Sequence, residues 1–134
     1  MCFSEESSIR SLSAGLFGAA LCIFFLGSTT DKIVGLFLGF VSLMQGIEYL
    51  LWRHQKCDNY NRTISILGMV LNHLQPFVLG LVVLLVNKNL KNLQLIVGLM
   101  IIYAITIIPY SYNYIKMNGS CTLKSENNEH LYWK

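Results

Sequence analysis

The chain has 134 residues, of which 54% are hydrophobic and 13% charged, and it carries a formal net charge of +3. A soluble domain of this size has about a quarter charged residues, so the composition argues against a soluble domain and indicates a single membrane-embedded one. The positive charges are spread over loops and tails, which excludes the clustered cationic face that nucleic-acid binding requires.

The first predicted helix covers residues 5–27. Ser4 can cap its N-terminus, and Glu5 and Glu6 then lie in the first turn, where the helix dipole favours negative charge. Only Arg10 is positive ahead of the apolar run and no small-residue cleavage site follows it, so we expect a retained span rather than a signal peptide. Small residues that share one face of this helix allow another helix to approach closely: Ser11, Gly15, Gly18 and Cys22.

The second predicted helix, residues 33–52, is the most informative stretch of the chain. It would extend ~30 Å, the thickness of the hydrocarbon layer of a bilayer. Gly35 and Gly39 form a smooth patch on which we expect the small residues of the first helix to pack. Glu48 is the only formal charge in this helix, and a carboxylate inside a span is unfavourable unless it faces protein or water. One slowly drifting polar stripe includes this candidate site residue: Ser42, Gln45, Glu48 and Trp52.

Two further spans are predicted at residues 63–86 and 93–114. Each contains a proline, Pro76 and Pro109 respectively, and a proline inside a helix leaves the carbonyl four residues earlier without its usual hydrogen bond. For Pro76 that carbonyl belongs to Asn72, which places a hydrogen-bond acceptor inside the third span. The expected fold is therefore an all-α, integral membrane four-helix bundle.

The chain divides into a four-span domain, residues 1–115, and a polar C-terminal tail, residues 116–134, which we expect to be mobile. Of the ten lysine and arginine residues, seven lie on the side of the termini and three on the other side. The positive-inside rule then places both termini in the cytoplasm, without identifying the membrane. The sequons at Asn61 and Asn118 lie on that same side, and glycosylation would need them outside; we give the charge count more weight.

Depth along the helices predicts one polar cluster between the second, third and fourth spans, open toward the side of the termini. Its expected members are Gln45, Glu48, Asn72, His73, Gln75, Thr106 and Tyr110. Glu48 and His73 could form a proton or cation site, or a general acid and base. The alternative is a buried hydrogen-bonded knot that only fixes the register of the helices.

The cysteines favour no metal site, because no C-x-x-C or H-x-x-x-H spacing pre-forms a pair of ligands, and we expect no cofactor. Cys2, Cys57 and Cys121 lie on one side of the membrane in the four-span arrangement, and free thiols are expected for most of the cysteines. One alternative is a Cys57–Cys121 disulfide, which needs an oxidising compartment and so conflicts with the charge count. Another is acylation of Cys2.

Three short motifs are distinctive: MCFS with Ser8 at the N-terminus, MQGIEYLLW in the second span and LQP in the third. Together they resemble a family of small, uncharacterised multi-pass membrane proteins that begin MCFS or MCWS and are known from giant DNA viruses and some bacteria. The matching positions are Cys2, Ser4, Ser8, Gln45, Glu48, Trp52, Gln75 and Pro76. The resemblance implies the membrane class and marks these residues, but it implies no activity, and His73 lies outside the family pattern.

Three functions are compatible with these patterns. The first is a channel or transporter for a small cation or proton, in which Glu48 carries the charge and a homo-oligomer encloses the path across the lipid bilayer. The second is a structural or assembly protein of a viral or cellular membrane, in which the polar cluster only fixes register. The third, and least favoured, is a membrane-embedded enzyme on lipid or thiol substrates that uses Glu48, His73 or Cys2.

Overall fold

The computed structural model describes residues 4–86, 93–116, 121–125 and 130–133. Its four long helices are α1 (Glu5–Leu21, continued by a π-helical segment at Cys22–Leu26), α2 (Thr29–Arg53), α3 (Asn59–Val86) and α4 (Leu93–Lys116). All four are long and apolar enough to cross a membrane. The prediction of an all-α four-helix membrane bundle is confirmed, and the chain is a multi-pass membrane protein.

Capping residues explain why two of the helices begin earlier than the hydropathy pattern predicts. The Ser28 side chain accepts a hydrogen bond from the amide of Asp31, so α2 begins at Thr29 instead of residue 33. In the same way Asp58 Oδ1 accepts from the amide of Asn61 at 3.0 Å, at the start of α3. Polar turns therefore extend both helices beyond their apolar runs.

The first helix has the expected N-terminal cap and an unexpected C-terminal end. The Ser4 side chain accepts from the amide of Ser7, in a reciprocal capping box, as the sequence predicts for a cap at this residue. At its other end the α-helix stops at Leu21 and continues as a π-helix to Leu26. Gly27 then adopts a φ of 77°, a left-handed conformation that glycine reaches without steric penalty and that ends the helix.

Close contact between α1 and α2 depends on the glycines of both helices. A Cβ atom on Gly15 would collide with the Ser42 hydroxyl, and a Cβ on Gly35 would lie 2.9 Å from the carbonyl oxygen of Ala19. Gly18 and Gly39 have ordinary van der Waals room for a Cβ, with nearest atoms at 3.4 and 3.5 Å respectively. All four predicted packing glycines therefore lie at this interface, but only Gly15 and Gly35 have no room for a methyl group.

The described part of the C-terminal tail has regular structure, which the expectation of a mobile segment did not include. Its described residues form an antiparallel pair of strands, β1 (Thr122–Lys124) and β2 (Leu131–Trp133). Leu131 is buried in one apolar cluster with Ile47 and Leu51 of α2. A disulfide also joins Cys121, just before β1, to Cys57 in the α2–α3 loop. Burial of an apolar side chain and a covalent link hold this hairpin on the end of the bundle.

The start of α1, the α2–α3 loop and the described strands of the hairpin lie at the same end of the bundle. Arg53 Nε, at the end of α2, lies 3.5 Å from the Glu5 carboxylate at the start of α1. We call the hairpin together with the α2–α3 loop, residues 54–58, the cap. No residue of α4, all of which is described, is buried within the chain, so this helix has most of its apolar surface turned outward.

Candidate intramembrane site

Glu48 lies inside the bundle rather than at its surface. Only 3% of its surface is exposed, although it carries the only carboxylate of the predicted second span. It is five residues before the end of α2, which places it ~7.5 Å below that end. Its neighbour in sequence, Ile47, packs in the apolar cluster under the cap. The carboxyl group therefore lies within the membrane-spanning part of the molecule and faces protein.

A cavity of about 380 Å³ adjoins Glu48 between α2, α3 and α4. We call it the polar cavity. Its lining residues are Met44, Glu48, Gly68, Met69, Asn72, His73, Tyr110 and Tyr114. The structure thus brings together Glu48, Asn72, His73 and Tyr110 of the predicted cluster. None of the eight lining residues is lysine or arginine, and the glutamate is the only carboxylate among them.

Three predicted members do not line this cavity. Thr106 donates a hydrogen bond to the Tyr103 carbonyl at 2.8 Å and lines a different cavity. Gln45 and Gln75 are half-buried and are absent from its lining. Position along each helix predicted that these residues lie at a similar depth in the membrane. It did not predict the direction in which each side chain points around its helix. Gln75, two positions after His73, is turned by roughly 200° from it on a helix with 3.6 residues per turn.

The polar stripe of α2 is divided between two neighbours. Ser42 is buried against α1, beside Gly15, and its hydroxyl donates to the Leu38 carbonyl at 2.7 Å. Glu48 lies instead on the polar cavity, and Trp52 packs against the cluster of Leu51 and Leu131. The stripe drifts around the helix, so its successive members face different parts of the bundle.

His73 connects α3 to α4. Its Nδ1 lies 2.9 Å from the Ser111 hydroxyl, and its ring meets the Tyr110 ring edge-on at a centroid distance of 5.5 Å. Ser111 was not predicted as a site residue, although it follows Tyr110 directly. Two lining residues on α3 were also not predicted, Gly68 and Met69; they precede Asn72 and His73 by four positions each, so helical periodicity could have found them.

A second, apolar cavity of about 560 Å³ lies deeper between α3 and α4. We call it the apolar groove. Its lining residues are Pro76, Phe77, Leu79, Gly80, Val83, Ile96, Leu99, Met100, Ile102, Tyr103 and Thr106. The Phe77 and Tyr103 rings meet across it at a centroid distance of 5.4 Å. Pro76 thus lies at the end of the apolar groove that is nearer the cap. Both α3 and α4 continue as helices through their prolines, Pro76 and Pro109.

Cys57 and Cys121 form the disulfide that was the alternative to free thiols, so the expectation of free thiols for most of the cysteines is wrong for these two. The two residues are 64 positions apart, and no local motif pairs them. Folding of the tail onto the α2–α3 loop brings their Cα atoms to 5.6 Å, a normal separation for a disulfide. Cys22 is a free cysteine in the π-helical segment, and Cys2 lies outside the described residues.

Asn61 joins the cap to α3 through a fully buried side chain. Its Oδ1 accepts from the Thr122 amide at 2.9 Å, and its Nδ2 donates to the Thr122 carbonyl at 2.9 Å and to the His54 carbonyl at 2.8 Å. The Ser65 hydroxyl adds a bond to the Thr122 hydroxyl at 2.8 Å. The side-chain amide therefore pairs with β1 as a neighbouring strand would, and this buried, saturated amide is not an accessible glycosylation site.

Further bonds hold the cap and the neighbouring ends of α3 and α4. The Lys124 amide donates to Gln55 Oε1 at 2.5 Å, and Arg62 donates to the Ile115 carbonyl near the end of α4 at 3.2 Å. On the exposed side, His54 Nε2 lies 2.7 Å from Asp58 Oδ2. Hydrogen bonds from the Asn61 amide and from His54 lower the pKa of Asp58.

The serines of the N-terminal motif have structural roles. Ser4 caps α1, and Ser8 is fully buried with its hydroxyl donating to the Ser4 carbonyl at 3.1 Å. Within the ranges that the structure describes, no group of three or more His, Cys, Asp or Glu residues is placed to hold a metal ion.

Comparisons with protein-family models, with curated proteins and with solved structures gave no match. The resemblance to membrane proteins that begin MCFS or MCWS therefore stays a prediction.

Proposed function

We propose that this protein binds a proton or a small cation at Glu48 and transfers it across the membrane as a homo-oligomer. The observation that supports this function is the burial of Glu48 beside a cavity between α2, α3 and α4. An ionisable residue in that position is unfavourable unless protein groups or a ligand compensate it. Asn72 and Tyr110 bring oxygen atoms to the same cavity, and oxygen ligands suit small cations.

Charge in the polar cavity favours a cation over an anion. Its one carboxylate is accompanied by an imidazole, an amide and phenol groups, and by no lysine or arginine side chain. The imidazole of His73 has a ring nitrogen that can take part in proton transfer, so it is a candidate partner of Glu48. Both features favour a positively charged species at Glu48.

Transfer across the bilayer requires more than one copy of the chain. The polar cavity lies near the cap end, and the space deeper between α3 and α4 is lined almost entirely by apolar side chains. The outward surface of α4 is available for contact with another copy. We therefore place the remainder of the path between subunits.

The test is flux of protons or monovalent cations into liposomes that contain the purified protein. Glu48→Gln removes the charge and keeps the size of the side chain, so it should abolish flux while helix content and assembly stay unchanged. Glu6→Gln is the matched control, because Glu6 is an exposed carboxylate in the first turn of α1, paired with Arg10. Equal flux in the wild type and Glu48→Gln, or no flux in the wild type, would overturn the proposal.

A structural or assembly role in a membrane is the second candidate. The observation that favours it is the extent of the cap, where a disulfide and a buried Asn61–Thr122–Ser65 network stabilise one end of the bundle. In this case Glu48→Gln would change no transport property. Replacement of Gly35 by a bulky residue would instead disrupt assembly, as measured by crosslinking in the membrane.

We further propose that the cap end, with both termini, faces an oxidising compartment. Disulfides persist in such compartments and are rare in the cytosol, so the Cys57–Cys121 bond supports the orientation opposite to that predicted by the charge count. A C-terminal epitope tag should then be digested by protease added to intact cells, or protected inside sealed microsomes. A tag that is accessible only from the cytosol would restore the orientation of the positive-inside rule.

A further inference from the structure

The polar cavity and the apolar groove follow one another along the space between α3 and α4. On α3 the residues lining the first end at His73 and those lining the second begin at Pro76; on α4 the corresponding residues are Tyr110 and Thr106. The two regions are thus separated by about one helical turn, ~5.4 Å. We call the two cavities together the crevice; their lining residues cover positions 68 to 83 of α3, ~22 Å at ~1.5 Å per residue.

The groove has the chemistry of a binding site for an alkyl chain. Its lining is apolar apart from Thr106 and the Tyr103 hydroxyl, and it lies within helices that cross the membrane. Gly80 leaves room for the flexible side chain of Met100, whose Sδ would lie 2.5 Å from a Cβ at this position. Such a groove can receive a hydrocarbon chain laterally from the lipid without exposing the chain to water.

The cap end of the crevice differs in charge and polarity. Glu48 provides a buried carboxylate there, and Asn72, His73 and Tyr110 provide hydrogen-bonding groups. An apolar groove that lies about one helical turn from a cavity with a single carboxylate is complementary to a molecule with a hydrocarbon chain and a positively charged end.

We infer that the α3–α4 crevice binds a single-chain amphiphile with an amine head group. The head group lies at Glu48 in the polar cavity, and the alkyl chain lies in the groove between Phe77 and Met100. This inference rests on the proposed cation site at Glu48 and adds the chemical class of the molecule that carries the positive charge.

The experiment uses the full-length protein in phosphatidylcholine nanodiscs and a long-chain alkylamine that carries a diazirine on its chain. After irradiation, mass spectrometry should locate the label on peptides of α3 and α4 that line the groove. Unlabelled alkylamine should compete at least about tenfold better than the fatty acid or the alcohol of equal chain length, since a charged pair in a desolvated site exceeds one factor of ten in affinity.

Two glycines provide a matched pair of variants. Gly80→Leu fills the groove beside Met100, whereas Gly98→Leu adds the same side chain to α4 at a position with no atom within 4 Å. Labelling should fall at least about tenfold in the first variant and stay at the wild-type level in the second. Thermal unfolding of both variants distinguishes a filled groove from a misfolded protein, and Ile96→Trp provides a second filling variant.

The outcomes separate this inference from the proposed transport. If Glu48→Gln abolishes ion flux but the alkylamine labels wild type and Gly80→Leu equally, the crevice inference fails and the transport proposal stands. If flux is absent but the label is amine-selective and lost in Gly80→Leu, transport fails and amphiphile binding stands. Crosslinked dimers joined through the groove, or equal competition by amine, acid and alcohol, would also overturn the inference.

Discussion

At the scale of the residue, Gly35 and Gly39 on α2 differ in the space that surrounds them. Both were predicted from sequence as one smooth patch, yet Gly35 meets the backbone carbonyl of Ala19 and Gly39 meets only its methyl group. Backbone atoms cannot move aside without shifting the helix, whereas a 3.5 Å contact between carbons is ordinary. The close approach of α1 and α2 therefore depends on one of these two positions.

Gly35→Ala should lower the free energy of unfolding by about 1–3 kcal/mol, because the added methyl group forces the helices apart. Gly39→Ala is the control and should leave it unchanged or raise it by up to about 1 kcal/mol, since alanine favours the helix. Equilibrium unfolding in mixed detergent micelles measures both values. Equal effects of the two substitutions would show that α1 and α2 are not packed as described.

Asp58 carries the clearest dependence on pH outside the membrane spans. Hydrogen bonds from the Asn61 amide and His54 lower its pKa in the folded protein. A carboxylate with a depressed pKa adds stability that is fully present above the pKa of the unfolded chain, ~3.9, and is lost as pH falls through the folded value. Because this side chain is exposed, the effect is small.

Asp58→Asn should therefore lower the melting temperature at neutral pH and reduce the further decrease in melting temperature between about pH 5 and pH 2. Melting curves of wild type and variant in the same detergent at a series of pH values measure this difference. Parallel curves over the acid range would contradict the role assigned to Asp58.

At the scale of the element, the cap is stabilised by a side chain that replaces a strand. Asn61 offers one acceptor and two donors to the edge of β1 and the end of the loop, and Thr122 uses both its peptide groups in return. Asn61 and Thr122 are fully buried, so removal of the amide would leave the N–H and the carbonyl of Thr122 without a partner. The hairpin itself is short, and two strands alone are marginal in water.

Asn61→Ala should lower stability by about 2–4 kcal/mol, since two or more buried backbone groups lose their partners. Asn59→Ala is the matched control on the same turn, because Asn59 is exposed, and it should change stability by less than about 0.5 kcal/mol. Protection of the Thr122 amide from hydrogen exchange gives a second readout. Unchanged protection in Asn61→Ala would contradict the bond between this side chain and β1.

At the scale of the whole molecule, the sequence determines the spans better than it determines their contacts. Hydropathy and length predicted all four helices, because each must bury its backbone in lipid. The π-helical end of α1 was not predicted, and the disulfide was given only as an alternative to free thiols. Pairing of Cys57 with Cys121 follows from the folding of a polar tail that buries Leu131 against Ile47 and Leu51 of α2.

The candidate site was predicted in part for a similar reason. The rise per residue gave the depth of Glu48, Asn72, His73 and Tyr110, and these residues do line one cavity. The orientation of Thr106 depends on how α4 is rotated against α3, which hydropathy does not specify for a helix that is apolar on all sides. The depth of a residue can be predicted from its own helix alone. The neighbour toward which its side chain points depends on how two helices pack.

The proposed function requires that the Glu48 carboxyl group, beside the polar cavity, exchange a proton or cation there. Difference infrared spectroscopy of the protein in lipid, with and without added cation and at two pH values, tests it directly. We expect a carboxyl band that responds to these changes in wild type and in Glu6→Gln, and that is absent from Glu48→Gln. A difference spectrum that is identical in wild type and Glu48→Gln would contradict the account.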